Sequence, residues 1–413
     1  MSSNAAPAAA KLPAVFRAFK YRNFQLFFGG QIISLTGTWM QSVAQSWLVL
    51  ELTDSPFRLG LVGTLQFAPM LALSFFTGAL ADRLPKRRLL IASQSVMCAQ
   101  ALLLAALVYR GDVQYWHVAV MASVYGVANT IDMPARQAFI VEMVGRESLR
   151  SAIALNSAMF NAARVIGPAL AGLVIARWGT ALAFFFNGLS FLAVIGALMA
   201  LRAEGLPRAS SGRRLRDEIA EGVRYARRTP RIALVLSLVM AVSAFFFNYN
   251  TLVPLLARDI LNQDAHGFGL LMTAVGCGAV LGAIVLASLG AERPPVPVLV
   301  GSALTLGVAT MLMAGVHRFA VAAALLAIMG FCGMLFMTGA NTTVQLTVPD
   351  DLRGRVMSLH TLMFAGMTPF GAFLVGSVVE ALGASAGFLV TGAGGTLAVT
   401  AVTLWWRRYR RPG

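Results

Sequence analysis

Apolar stretches of about twenty residues or more succeed one another along this 413-residue chain with little between them. Twelve are predicted, over roughly 24–50, 59–81, 88–109, 115–139, 152–176, 181–201, 232–257, 267–289, 296–316, 319–346, 356–380 and 386–406. About 20 apolar residues in a helix cross ~30 Å of hydrocarbon. Inside lipid the backbone must satisfy its own hydrogen bonds, and runs of this length do so as helices. The composition agrees, with 58% hydrophobic and only 12% charged residues, which is that of a polytopic membrane protein. The expected fold class is therefore all-α integral membrane, with twelve transmembrane helices arranged as two six-helix bundles. The first stretch is too long for the core of a signal peptide and reads as an uncleaved span.

A net charge of +16 in a soluble domain would point to nucleic acid. Here topology accounts for it. With the N-terminus inside, the cytoplasmic segments hold 27 Lys and Arg, the outside loops hold five (Arg58, Arg110, Arg177, Arg258 and Arg318), and Arg164 lies within a span. Basic residues concentrate on the cytoplasmic side of membrane proteins. Both termini are thus expected in the cytoplasm, with no nucleic-acid partner.

Residues 202–231 form the longest polar stretch and divide the chain. The expected organisation is an N-tail (1–23), an N-terminal bundle (24–201), a central loop (202–231), a C-terminal bundle (232–406) and a C-tail (407–413). The halves echo one another: Asp82-Arg83 with Glu292-Arg293, Leu149-Arg150 with Leu352-Arg353, and Pro168 with Pro369, at offsets of 201 to 210. Repeats of this kind place a substrate site near the bilayer midplane, between the halves. In the central loop Leu215, Ile219, Val223 and Ala226 form an apolar stripe at helical spacing. The stretch reads either as an amphipathic helix on the inner membrane face or as a solvated linker.

Polar side chains are costly in lipid and usually face a cavity or a neighbouring helix. They fall here into helical stripes: Gln31, Ser34, Thr38, Gln41 or Ser42, and Gln45 in span 1; Tyr125, Asn129, Asp132 and Arg136 in span 4; Ser157, Asn161, Arg164 and Pro168 in span 5; Thr338, Asn341 and Gln345 in span 10; Thr361 and Thr368 in span 11. Spacings of three, four and seven put each set on one face. Span 7 ends in Phe245-Phe-Phe-Asn248-Tyr249-Asn250-Thr251, followed by Pro254. Amide and aromatic groups together suit a large amphipathic ligand. The competing reading is that these groups hold helices together.

Asp132 is the one carboxylate well inside a span. Its candidate partners are Arg136, one turn on, and Arg164 on a neighbouring helix. It reads either as a proton-coupling site, with Arg136 and Arg164, or as a permanent ion pair. His360, near the start of span 11, is a further titratable candidate. Glu142 and Glu380 fall at span ends and read as interfacial. Cys98, Cys277 and Cys332 stand alone in apolar segments, with no metal spacing and no disulfide framework. No phosphate-binding Gly-rich loop and no catalytic constellation is present, so neither an enzyme, an ATP-driven pump, a cofactor nor a metal is expected.

The turn Gly78-Ala-Leu-Ala-Asp82-Arg83-Leu-Pro-Lys86-Arg87-Arg88-Leu-Leu90 closely resembles the loop between the second and third helices of the major facilitator superfamily of secondary transporters, with Pro85 in place of the usual Gly. Gly167-Pro168-Ala-Leu-Ala-Gly172 resembles the Gly-Pro motif of the drug/proton antiporters of that superfamily, and reads as close packing with a local helix break. Asp132-Met-Pro-Ala-Arg136-Gln-Ala-Phe139 resembles the enterobactin-exporter-like, or transmembrane secretion effector, branch.

The resemblance implies a bacterial inner-membrane exporter of siderophores, drugs or similar metabolites. It implies alternating access, proton antiport and a monomer. The substrate-cavity residues expected are Gln31, Thr38, Gln41, Gln45, Tyr125, Asn129, Asn161, Asn248, Tyr249, Asn250, Thr338, Asn341 and Gln345. Gly78, Asp82, Arg83 and Arg87 are implied as a conformational latch. An importer or uncoupled facilitator of the same fold, and a non-transporting receptor or scaffold, remain as alternatives.

Overall fold

The computed structural model describes residues 14–201, 215–288 and 295–409. The side chains of Asp82 and Arg83 and the surroundings of Gly78, three of the four latch residues, lie outside the described residues, as do Glu292 and Arg293. Every regular element among the described residues is helical. After a short 3₁₀ turn come α1 (Arg22–Thr53), α2 (Pro56–Arg83), α3 (Lys86–Arg110), α4 (Tyr115–Trp178) and α5 (Thr180–Ala200). Then follow α6 (Leu215–Arg228), α7 (Pro230–Phe245), α8 (Tyr249–Leu255) and α9 (Ala265–Ser288). The chain ends in α10 (Val296–Met313), α11 (Phe319–Thr347), α12 (Asp350–Leu382) and α13 (Ala384–Tyr409).

α4 holds two spans. Gly145 stands at φ 66°, ψ 176° and turns the chain back. That left-handed backbone suits glycine, which has no Cβ to clash. α7, α8 and the π turn Leu256–Ile260 make one interrupted span. Ten spans are apolar and long enough to cross a bilayer by composition. α1 and the first arm of α4 miss that criterion because of their polar stripes, and with them the described spans number twelve.

Local chemistry sets many of the boundaries. The Ser55 hydroxyl accepts from the Arg58 N–H at 3.2 Å, with Pro56 in the first turn of α2, both favourable start signals. Gly111 ends α3 in the left-handed conformation, as helix C-termini favour. Within the spans, Thr and Ser hydroxyls donate to carbonyls one turn back, as Thr130 does to Gly126 at 2.7 Å and Thr310 to Leu306 at 2.7 Å. Each hydroxyl is thereby satisfied inside its own helix.

An even number of spans puts both described ends on one side, here called the termini face; the other is the far face. α1 to α5 pack with one another, and so do α7 and α9 to α13. The two sets meet along two seams, α2 against α12 and the second arm of α4 against α9. Both seams are lined by glycine. A Cβ on Gly376 would stand 2.8 Å from the Pro56 carbonyl and 3.0 Å from Gly60 Cα; one on Gly269 would meet Gly172 Cα and the Pro168 carbonyl at 2.7 Å each. Small residues permit such backbone approach in membranes, where van der Waals packing drives association.

α6 rests against α12 and α7. Arg355 of α12 pairs with Glu221, and the Tyr225 hydroxyl donates to the Thr347 carbonyl at 3.4 Å. Val223 and Ala226 pack into the C-terminal core. The described part of the apolar stripe thus meets protein rather than a membrane surface.

Candidate functional site

The seams do not run evenly from face to face. Besides the glycine pairs, contacts joining the halves among the described residues include Ser55 and Phe57 to Glu380, Asp54 to Arg258 at 2.9 Å, Thr64 to the Pro369 carbonyl at 3.0 Å, and the edge-on rings of Phe57 and Phe373 at 5.6 Å. Trp47 also stacks on Phe268 at 6.1 Å. All lie between the midplane and the far face. There a cavity of about 20 Å³ remains among Ser42, Gln45, Gln66 and Asn250, room for about one water.

Near the termini face, two polar contacts among the described residues stay within the N-terminal half. Lys86 pairs with Glu142 at 3.0 Å, and Arg87 donates to the Leu198 and Met199 carbonyls at 2.7 Å each. Arg87, the described member of the expected latch, thus closes the end of α5, where a cation suits the exposed carbonyls.

Several stripe residues are spent inside the N-terminal half. The Gln41 carbonyl accepts from the Asn187 amide at 2.6 Å, and the Gln45 amide donates to Gln66 at 2.8 Å. Thr38 pairs with the Tyr125 hydroxyl. Gln31 is 2% exposed and its carbonyl oxygen has no partner. On α11, Thr338 donates to the Met334 sulfur at 3.3 Å, and Gln345 to Asn341 at 2.5 Å. Asn129 is half-buried at mid-span.

The Asp132–Arg164 pairing raised by the sequence is not formed. Asp132 is wholly buried between α3 and α4, where it accepts from Ser93 at 3.0 Å, Gln94 at 2.8 Å and Arg136 Nε at 2.9 Å. Arg136 Nη2 contacts the same carboxylate oxygen. Arg136 wins because it lies one turn away on the same helix face. A carboxylate with this many donors has its lone pairs satisfied.

Arg164 instead turns toward the interface of the halves. Its guanidinium lies 5.9 Å from the centre of the Trp39 ring, within cation–π range. Its electrostatic neighbour is Tyr249 of α8. Among the described residues no carboxylate pairs with it. A cation left so at mid-span carries an insertion cost of about 2.5–3.5 kcal/mol.

Several polar atoms of α4 and of the start of α8 are under-satisfied. The Tyr249 hydroxyl and the carbonyl oxygens of Asn161, Asn248 and Asn250 are buried without partners. The Phe247 ring meets Tyr249 at 6.0 Å and Phe364 at 5.7 Å, both edge-on. His360 is buried one turn before Phe364, with Nε2 unpartnered.

The helix break before Tyr249 falls at Phe246–Asn248, between α7 and α8. Pro254 offers no N–H to the Asn250 carbonyl. The helix break expected at Gly167–Pro168 is not there. α4 stays helical through both, and its one non-helical residue is Gly145. Gly167 and Gly172 serve close packing instead, the first against Thr36 and Trp39, the second against His266 and Gly269. Sequence reasoning missed Trp39, Ser93, Gln94, Asn187 and Phe247. Only Phe247 carried a signal, lying in the aromatic–amide run.

Residues 14–410 match the family described as transmembrane secretion effector. The chain belongs to that family. It is a multi-pass membrane transporter of the major facilitator superfamily, not an enzyme. It is 25% identical to the staphyloferrin A transporter of Staphylococcus aureus, over 91% of this chain and 94% of the relative. It is 28% identical to the multidrug efflux pump Tap of Mycolicibacterium fortuitum, over 86% and 88%. A macrolide efflux protein A of Streptococcus pyogenes is 22% identical, over 90% and 94%. In fold it is similar to a peptide transporter POT (TM-score 0.74, 12% identity, 94% and 95% covered). It is likewise similar to a bacterial homologue of the human lysosomal transporter Spinster, in an inward-facing conformation (0.72, 12%, 97% of each).

Proposed function

We propose that this transporter exports an amphipathic small molecule from the bacterial cytoplasm by alternating access, as a monomer in the inner membrane. One observation carries the reading: among the described residues, Ser55 and Phe57 with Glu380 and Asp54 with Arg258 join the halves between the midplane and the far face, whereas Lys86 with Glu142 and Arg87 with the end of α5 stay within the N-terminal half at the termini face. The Lys/Arg asymmetry makes the termini face cytoplasmic, so the midplane groups face the compartment from which an exporter loads. The relatives named as multidrug and macrolide efflux proteins support export over uptake.

Coupling to inward proton flow is the second part of the proposal. Asp132 with Arg136, and His360, are its candidate proton carriers, and Arg164 their partner in charge balance. Gly78, Asp82, Arg83 and Arg87 are proposed to latch the cytoplasmic side in the opposite state.

Inverted vesicles of an overexpressing strain, energised by respiration, test both parts. Uptake of at least one compound from a panel of labelled amphipathic acids, neutral molecules and cations, collapsed by a protonophore, is the expected result. Accumulation that survives the protonophore overturns proton coupling. Uptake into right-side-out vesicles alone overturns export.

A further inference from the structure

Resting on that reading, we propose that the central site is built for an amphipathic anion, whose carboxylate meets Arg164 and the Tyr249 hydroxyl and whose apolar body lies against Trp39, Phe247 and Phe364.

Two independent observations converge on this chemistry. The first is charge. Asp132, the nearest deep carboxylate in sequence terms, is consumed by Ser93, Gln94 and Arg136. Arg164 keeps only an aromatic face and a tyrosine as neighbours among the described residues. A guanidinium offers a planar fork of donors that matches a carboxylate in two hydrogen bonds.

The second is an unspent donor. Tyr249 is 9% exposed, yet its hydroxyl finds no protein partner. A phenolic O–H held next to a cation donates naturally to an anionic oxygen.

The aromatic frame sets the rest of the ligand. Trp39 of α1 lies against the cation, and Phe247 of the α7–α8 break and Phe364 of α12 continue edge-on from Tyr249, so the aromatic frame draws on both halves. A ligand anchored between them contacts both bundles at once. The unpartnered carbonyl oxygen of Asn161, one turn before Arg164 on α4, would accept a hydroxyl or amide hydrogen of the ligand. The class indicated is an acid with an apolar or aromatic body and hydrogen-bond donors, not a lipophilic cation.

The test compares shape-matched probes on the full-length transporter in nanodiscs by equilibrium dialysis. Naphthalene-1-acetate, naphthalene-1-acetamide and 2-(1-naphthyl)ethylammonium share a ring and differ in charge. We expect the acid to bind at least tenfold tighter than the amide or the ammonium. Arg164→Gln should erase that preference and leave amide binding within twofold, and Tyr249→Phe should weaken the acid alone by two- to fivefold. Should Arg164→Gln fold poorly, Arg164→Lys keeps the cation and should retain acid preference, and the wild-type ranking stands without any variant. Amide or ammonium binding as tight as the acid overturns the proposal, as does failure of this acid, 4-phenylbutanoate and dodecanoate all to bind. Vesicle export of neutral or cationic compounds by a protein with no acid preference would leave the export reading intact and remove this one. Arg164-dependent acid binding without export would do the reverse.

Discussion

The Glu380 carboxylate at the end of α12 caps the first turn of α2 in the opposite half, accepting from the Ser55 hydroxyl at 2.8 Å and the Phe57 N–H at 3.0 Å. A carboxylate at a helix N-terminus gains from both the free N–H groups and the helix dipole. This contact bridges the halves at the far face.

Glu380→Gln should therefore loosen the far side. A charge-assisted hydrogen bond contributes about 1.5–3 kcal/mol, and solvent exposure reduces that here to about 1 kcal/mol. A roughly fivefold shift toward a far-open state follows. Spin labels at Asp112 and Asn262, both exposed near the far face, report it as a longer distance component. An unchanged distance distribution would show that the cap does not bias the equilibrium.

The glycine seam is steeper in its demands. Gly376→Val places a branched side chain against the Pro56 carbonyl and Gly60, and overpacking of this kind costs about 1–3 kcal/mol. The protein should still insert and purify as a monomer. Vesicle transport should fall at least tenfold, and the same labels should report a far side held open. Wild-type transport by Gly376→Val would mean that the helices part along this line at no cost.

Asp132 offers a test of buried-pair energetics. Removing one partner of such a pair costs about 3–5 kcal/mol, because the other charge is stranded. Asp132→Asn should lower thermal stability sharply, and Asp132→Asn with Arg136→Gln should regain most of it. If Asp132 carries the proton, the double variant keeps downhill exchange and lacks uphill transport. Normal protonophore-sensitive transport in the double variant would move the proton to His360.

Orientation is open to direct labelling. A cysteine at Asp264 or Asp112 should react with a membrane-impermeant maleimide in intact cells, and one at Arg88 should react only after permeabilisation. All three positions are exposed. The opposite pattern would invert the topology and, with it, the export reading.

Hydropathy makes most spans legible, and the polar stripes themselves explain why α1 and the first arm of α4 are the least apolar. The Gly145 reversal is also legible, as a glycine amid charged residues between two apolar runs. Less accessible is how each polar group is spent. Periodicity puts Gln41 on the same stripe as Thr38 and Gln45, yet Gln41 answers Asn187 and Gln45 answers Gln66. Helical spacing fixes which residues share a face, but the rotation of that face depends on every neighbour packed around it. The same holds for Asp132, whose stripe-mates give no sign that α3 would supply Ser93 and Gln94. The Gly-Pro pair in α4 misleads for a related reason: proline removes one hydrogen bond, and neighbouring helices hold the rest of the turn in place.

The closed approach of Gly60 and Gly376 also bears on how the protein would be inhibited. On the proposed orientation, with the termini face in the cytoplasm, the central site in this conformation is reached by compounds already inside the cell. A competitive blocker then has to permeate the membrane first, and its potency follows its intracellular level rather than the dose in the medium. An impermeant ligand would need to work differently, by wedging between α2 and α12 from outside and holding the transporter in a state that cannot reload.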